Sequence, residues 1–467
     1  MNIVLLVIDS LRAKSLRAYG AAHAQTPFLD RLGQEALWFR RAYAAECWTL
    51  PSHVSMFTGR LASEHGAHFQ TMAYDEPAPT IAEILTAAGY HTELVTRNFI
   101  FDGTVPGVTR GFQVRTRHLA ALGRIDPLAV LLTLMKPRVR RHVRATGFFH
   151  PRHSEQREFV GTFARSLLPA DEPALARVLD VMQRQRRAGR PYFLFCNLYD
   201  VHAPYPPRSG AILRKWRARG GVSDRLTCLL YLSRLGQHAY LREGFRMPVW
   251  AQQVLLDRYH LAIELMDAKL AAFYAAARSG GLLADTLLII TSDHGEAFGE
   301  HGLYLHDASV YDTHLRVPLW IVHPGHEPAA IDDVVSTRDL FQVMLAAAGQ
   351  RPVAETMLET DFRQAQPIAW AEHFFYPQCP DAAPRYRQNL MAAIVGTEKY
   401  VVRRKNVVRY DLLRDPDEVA GEPASIEELI ATCRRTGMPN ATIDAAAARF
   451  RNWRECSDHR TAFRCAA

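Results

Sequence analysis

The chain has 467 residues, 48% apolar and 22% charged, enough to build a sizeable core and unlike a disordered, collagenous or disulfide-stapled chain. Its net charge of +8, from 56 basic and 48 acidic residues, favours an anionic substrate or a surface patch and does not by itself imply nucleic acid. The longest nearly unbroken apolar run, residues 128–135 with Thr133 inside it, falls far short of the ~20 residues a membrane helix needs.

Residues 3–8 (IVLLVI) are continuously apolar, the pattern of a central strand buried on both faces. Thr26 and Pro27 predict a helix start, with Thr26 as cap and Pro27 in the first turn. WTLPSHVSMFTG, residues 48–59, reads as a loop entering a short helix. An amphipathic helix over 80–88 stops at Gly89, and a strand follows over 92–96. Further strands are predicted at 192–198, 286–290 and 317–322, and helices at 266–277 and 339–348. Strands alternating with helices predict an α/β fold, a large mostly parallel sheet covered on both faces. Residues 104–175, which include the basic tract 136–152, and 206–250 read as insertions above that sheet. Short alternating segments at 390–395, 400–404 and 407–412 predict an antiparallel meander in a small C-terminal α+β domain. The expected division is a catalytic domain over 1–365 and a small domain over 366–467. Seven cysteines, an odd number with no CxxC pair, give no sign of a disulfide framework or a structural zinc site. The first residues lack the basic stretch and cleavage site of a signal peptide, so the expected compartment is the cytoplasm.

Open α/β sheets place ligands beyond the carboxyl ends of their strands. Four chemistry-bearing features fall there: Asp9, Thr49, Asp200 with His202, and Asp293 with His294. Singly, each has a bland reading, as a helix cap, a turn residue or a hydrogen-bonded polar group. Together, at successive strand exits, they point to one site.

The segments NIVLLVIDSLR, TPFLDRLGQEALWFRRAYA, TLPSHVSMFTGR, IAEILTAAGYHTELV, DVHAPYPP, LLADTLLIITSDHGEAFGEHG and LRVPLWIVHPG follow one another in this order, and RYDLLRDPDE comes late. In this the chain resembles the sulfatase family of the alkaline phosphatase superfamily over nearly its full length. The resemblance implies a sulfatase/alkaline-phosphatase-like fold and a metal-dependent hydrolase. It makes Asp9, Thr49, Asp293 and His294 metal ligands and Thr49 the nucleophile. His202 and His306 would contact the transferred group or protonate the leaving group, and His301 would lie just behind. Arg97, Asn98 and Asp200 occupy the region where substrate is bound.

The departures are informative. Sulfatases have Cys-x-Pro-Ser-Arg, whose Cys becomes formylglycine; here the segment is Thr49-Leu50-Pro51-Ser52-His53. Threonine cannot supply the aldehyde, and Cys47 lies two residues too early to replace it. His53 stands in place of the arginine, where it would stabilise charge when protonated. Ser10 replaces the second acidic residue of the usual Asp-Asp pair, and His294 supplies an imidazole where calcium-dependent sulfatases have an amide. Two carboxylates, an imidazole and a hydroxyl suit Mn²⁺ or Zn²⁺ better than Ca²⁺, which stays possible. One ion is favoured over two. The expected substrate is a small anionic ester, a phosphate diester or phosphonate, cleaved through a phospho-threonine. The alternatives are a soluble phosphoethanolamine- or phosphoglycerol-type transferase, an arylsulfatase-like sulfuric ester hydrolase, and a non-catalytic binding scaffold.

Overall fold

The computed structural model describes residues 1–117, 174–203, 205, 227, 231, 240–306, 308–350, 368–375, 382–403 and 406–456. The main sheet contains β1 (Asn2–Ile8), β2 (Leu37–Tyr43), β3 (His91–Thr96), β4 (Val114–Arg117), β5 (Tyr192–Leu198) and β6 (Thr286–Thr291). After a small hairpin, β7 (Ala297–Phe298) and β8 (Tyr304–Leu305), it is completed by β9 (Arg316–Val322) and β10 (Ala329–Ser336). The spatial order is β10-β2-β9-β6-β1-β5-β3-β4. Only β9 runs against its neighbours, β2 and β6. All other pairs are parallel.

Every residue of β1 is buried because helices cover both faces. The alternation of side chains divides it between two cores. Ile3, Leu5 and Val7 pack with Phe193, Phe195, Leu287 and Ile289 under α2 (Thr49–Thr58) and α4 (Ile81–Ala87), which flank the short α3 (Ala62–His65). Val4, Leu6 and Ile8 pack with Leu194, Cys196, Leu288 and Ile290 under α1 (Pro27–Leu32), α5 (Ala174–Arg187) and α6 (Val249–Ser279).

Several expectations are corrected. Thr26 does not cap α1; the Asp267 carboxylate of α6 accepts from the Phe28 and Leu29 amides at 3.0 and 2.8 Å instead. The α6 helix starts at Val249 rather than at 266, directly behind Pro248. Residues 114–117, expected in an insertion, form the edge strand β4. The rest of that segment up to 173, with the basic tract, lies outside the described residues, as do 206–226, 228–230 and 232–239. The expected domain boundary at 365/366 falls in 351–367, also outside. Strand β9 keeps its expected place in the sequence, with antiparallel pairing.

A second sheet, wholly antiparallel, runs β11 (Ile368–His373), β12 (Leu390–Val395), β13 (Glu398–Arg403), β14 (Asn406–Asp411) and β15 (Glu422–Pro423). One face is covered by α9 (Ile426–Arg435) and α10 (Asn440–Cys456). The other packs on Tyr43, Val310, Leu315 and Val334 of the main body. The main body also holds α7 (Asp312–Leu315) and α8 (Leu340–Ala347), and α7 meets this seam through an ion pair. Lys399, fully buried, donates to Asp312 Oδ1 and pairs with Glu418 Oε1, each at 2.8 Å.

Candidate active site

The register of β1 against β5 and β6 sets Ile8 beside Leu198 and Val7 beside Thr291. The residues that follow these strands therefore emerge side by side. Asp9 extends the ladder by one bond, its amide donating to Leu198 O at 3.1 Å. The chain then turns at Ser10, a non-glycine residue at φ 64°. That left-handed turn is strained for an L-residue, and the surrounding bonds hold it. The Ser10 amide donates to Asp293 Oδ1 at 3.1 Å, and Ser10 O accepts from the buried Tyr259 hydroxyl at 2.8 Å.

Asp9, Asp293 and His294 form a fully buried cluster whose potential ligand atoms all lie within 4.8 Å of one another. His294 Nε2 stands 3.3 Å from Asp293 Oδ2 and 3.8 Å from Asp9 Oδ1. Its Nδ1 lies 2.9 Å from Gly295 O, which can only accept, so Nδ1 carries the proton and Nε2 turns its lone pair inward. Asp9 Oδ2 is fixed by two amide donors, Asn98 Nδ2 at 2.9 Å and Asn197 Nδ2 at 3.1 Å. Asp293 Oδ2 is buried with no hydrogen-bond partner. Burial, then the neighbouring Asp9 carboxylate, raise the Asp293 pKa well above the ordinary carboxylate range. Burial also holds His294 well below the usual histidine value. Two facing carboxylates, one orphaned oxygen and an inward imidazole lone pair fit a divalent cation. Such an ion would satisfy Oδ2 and remove the repulsion between the acids.

Thr49 enters this cluster as the first residue of α2, with its side-chain oxygen 3.4 Å from His294 Nε2. Pro51 is tolerated because it lies in the first turn, where amides have no intrahelical partner. Gly59, at φ 70°, closes the other end of the helix in the left-handed conformation. The Ser52 hydroxyl donates to Asp293 O at 2.6 Å and so ties the helix to the ligand loop. The helix N-terminus adds partial positive charge where an anionic group would sit.

His202 Nδ1 donates to Ala203 O at 2.6 Å, and its Nε2 faces Asp9 Oδ1 at 4.0 Å. His306 Nδ1 lies 2.8 Å from Glu296 Oε1, whose other oxygen accepts from the Tyr205 hydroxyl at 2.8 Å. The rings of His306 and His294 stack at 4.4 Å, and His202 meets His306 edge-on at 4.9 Å. Thus Asp9, Thr49, Asp293, His294, His202 and His306 converge.

The other expected residues have different places. His53 donates from Nδ1 to Thr49 O at 2.7 Å, and its ring packs against Phe101 and Phe195. Burial pushes its pKa down to about 4, which favours the neutral ring, and its Nε2 is buried with no hydrogen-bond partner. Asn98, expected at the substrate, donates its side-chain amide to Asp9 Oδ2. Asp200 pairs with Lys269 at 2.6 Å. Arg97 is half-buried at the exit of β3. His301 stacks on Tyr311 at 3.7 Å, outside the cluster. Asn197, Ser52 and Glu296 were not singled out from the sequence. A lone Asn in the apolar run YFLFCNL and the Glu two residues after His294 were the available signals.

A family model for sulfatases matches residues 1–350. The arylsulfatase of Clostridium perfringens is 22% identical over 374 residues, covering 74% of this chain and 74% of its own. The multifunctional alkaline phosphatase superfamily protein PehA of Trinickia caryophylli is 22% identical over 486 residues, 91% of this chain and 92% of its own. The crystal structure of the phosphonate monoester hydrolase of Agrobacterium radiobacter superposes with a TM-score of 0.64 at 20% identity, over 90% of this chain and 91% of that one. With the sheet order, the antiparallel C-terminal sheet and the clustered strand-exit residues, these matches identify the chain as a member of the sulfatase family of hydrolases, within the alkaline phosphatase superfamily.

Proposed function

We propose that this hydrolase cleaves phosphate diesters or phosphonates at one divalent cation, with Thr49 as nucleophile. The observation that carries the reading is the position of Thr49 Oγ1. It stands at a helix N-terminus, 3.4 Å from the inward Nε2 of His294, beside a buried pair of carboxylates. Asp9, Asp293, His294 and Thr49 would hold the ion, which supplies a lowered hydroxyl pKa and charge neutralisation at the phosphoryl oxygens. This donor set favours Mn²⁺ or Zn²⁺ over Ca²⁺.

Thr49 Oγ attacks phosphorus as its proton passes to solvent, and the bond from phosphorus to the leaving oxygen breaks. His202 or His306 gives the proton that the leaving oxygen needs. Of the two, His306 has its ring fixed by a carboxylate at Nδ1, as an acid that must present Nε2 requires. Water then cleaves the Oγ–P bond and returns the hydroxyl to Thr49. A threonine sulfate ester lacks the hemiacetal exit that formylglycine provides, so the nucleophile favours phosphorus over sulfur.

The test compares kcat/KM on matched aryl phosphate diester, phosphonate, phosphate monoester and sulfate ester, with Mn²⁺ or Zn²⁺, in wild type and Thr49→Ala. A diester or phosphonate preference that falls ~10³-fold or more in the variant supports the reading. A sulfate preference, or turnover that survives Thr49→Ala, overturns it.

A further inference from the structure

We propose that Glu46, Cys47 and His373 form a second metal site, holding a zinc ion that fastens the C-terminal sheet to the turn carrying Thr49. The three side chains are buried, and their potential ligand atoms lie within 4.8 Å of one another. None belongs to the cluster around Asp9. Glu46 and Cys47 sit in the turn between β2 and α2, immediately before Trp48 and Thr49, and His373 is the last residue of β11. The backbones are already joined there, the Glu372 amide donating to Ala45 O at 3.0 Å.

Two edges of the cluster have the lengths of a zinc tetrahedron. With Zn–S of ~2.3 Å and Zn–N and Zn–O of ~2.0 Å, the S···N and N···O edges are about 3.5 and 3.3 Å. Cys47 Sγ lies 3.4 Å from His373 Nδ1, which lies 3.2 Å from Glu46 Oε1. An ordinary hydrogen-bonded network, in which Glu46 Oε1 also accepts from the Cys47 amide at 2.9 Å, does not require sulfur and carboxylate to converge on the same ring nitrogen. Nor does it account for Glu46 Oε2, which is buried without a hydrogen-bond partner. A carboxylate closing on the ion with both oxygens satisfies that atom and fills the fourth position.

Charge points the same way. Among the described residues the ion pair formed by Glu46 is with His373. A carboxylate and a thiolate neutralise Zn²⁺, leaving a buried site with no net charge. Binding releases the thiol proton to solvent. Thiolate and imidazole together select zinc over Mg²⁺, Ca²⁺ or Mn²⁺. The ligands escape any spacing motif because Cys47 and His373 are 326 positions apart. An ion here would brace the N-terminus of α2 from behind, where Trp48 stacks on Phe69 at 3.8 Å.

The catalytic cluster contains no sulfur, so the two sites separate spectroscopically. Cobalt-loaded wild type, Asp293→Asn, Cys47→Ser and His373→Gln are compared for a thiolate-to-cobalt charge-transfer band and for metal bound per chain. The proposal predicts the band in wild type and in Asp293→Asn. It predicts loss of the band and of one equivalent of metal in Cys47→Ser. His373→Gln, which keeps the thiol, gives the same result by a second route should Cys47→Ser not fold. Absence of the band from wild type, or its persistence in Cys47→Ser, overturns the site.

Discussion

Replacing Asn98 with alanine separates a residue that holds Asp9 from one that holds substrate. Asn98 Nδ2 and Asn197 Nδ2 are the two amide donors to Asp9 Oδ2, at 2.9 and 3.1 Å, and Asn98 is buried. A hydrogen bond to a charged acceptor is worth about 1.5–3 kcal/mol, so losing one of the two weakens metal binding by about 10- to 150-fold. Asn98 Oδ1 also accepts from the Ile100 amide at 3.0 Å, so some local stability is lost as well. The assay is metal affinity by chelator competition, followed by kcat/KM as a function of metal concentration. The account predicts weaker metal binding and recovery of most activity at saturating metal. Unchanged metal affinity in a folded variant, or kcat/KM that stays depressed at saturation with KM raised, would refute it and return Asn98 to the substrate.

Two further outcomes concern the framework. Asp267→Ala removes both acceptors from the first turn of α1 and is expected to cost about 2–4 kcal/mol in chemical denaturation, without changing metal affinity. Burial, opposed by Lys399 and reinforced by Asp312, raises the Glu418 pKa to about 7. A carboxyl raised above its ordinary value stabilises the fold below that value, and the contribution is lost as pH rises through about 7. Unfolding free energy should therefore fall as pH rises across that window, a dependence that Glu418→Gln flattens.

Strands are legible in the sequence where burial is total and obscured where the ladder is irregular. Strands β1, β5 and β6 are continuous apolar runs, and each was found within a residue or two. Strands β2 and β10 were not recognised. Both carry adjacent charged residues, Arg40-Arg41 and Asp332-Asp333. Register shifts between Phe39 and Ala42 and between Ile331 and Val334 break the alternation. The α6 helix looked short because Val249 and Trp250 are exposed at its start and no side chain caps it. In the site, residues at strand exits were legible because topology puts strand ends together. Residues that act by holding them were not: Asn197 lies inside β5, and Ser52 acts through its hydroxyl on a backbone carbonyl. His53 occupies the position of the TLPSH segment from which an anion binder is expected. Helical geometry instead aims its Nδ1 four residues back at Thr49 O, and three phenylalanines surround its ring.

The central claim is that Thr49 carries the transferred group. The direct measurement is acid quench of the enzyme during turnover of a phosphonate or phosphate diester, followed by peptide mass spectrometry. The account predicts a mass increase equal to the transferred phosphoryl or phosphonyl group on the peptide containing Thr49, at that residue, and none in Thr49→Ala. Steady turnover with no adduct on Thr49, or an adduct at another residue, would contradict it.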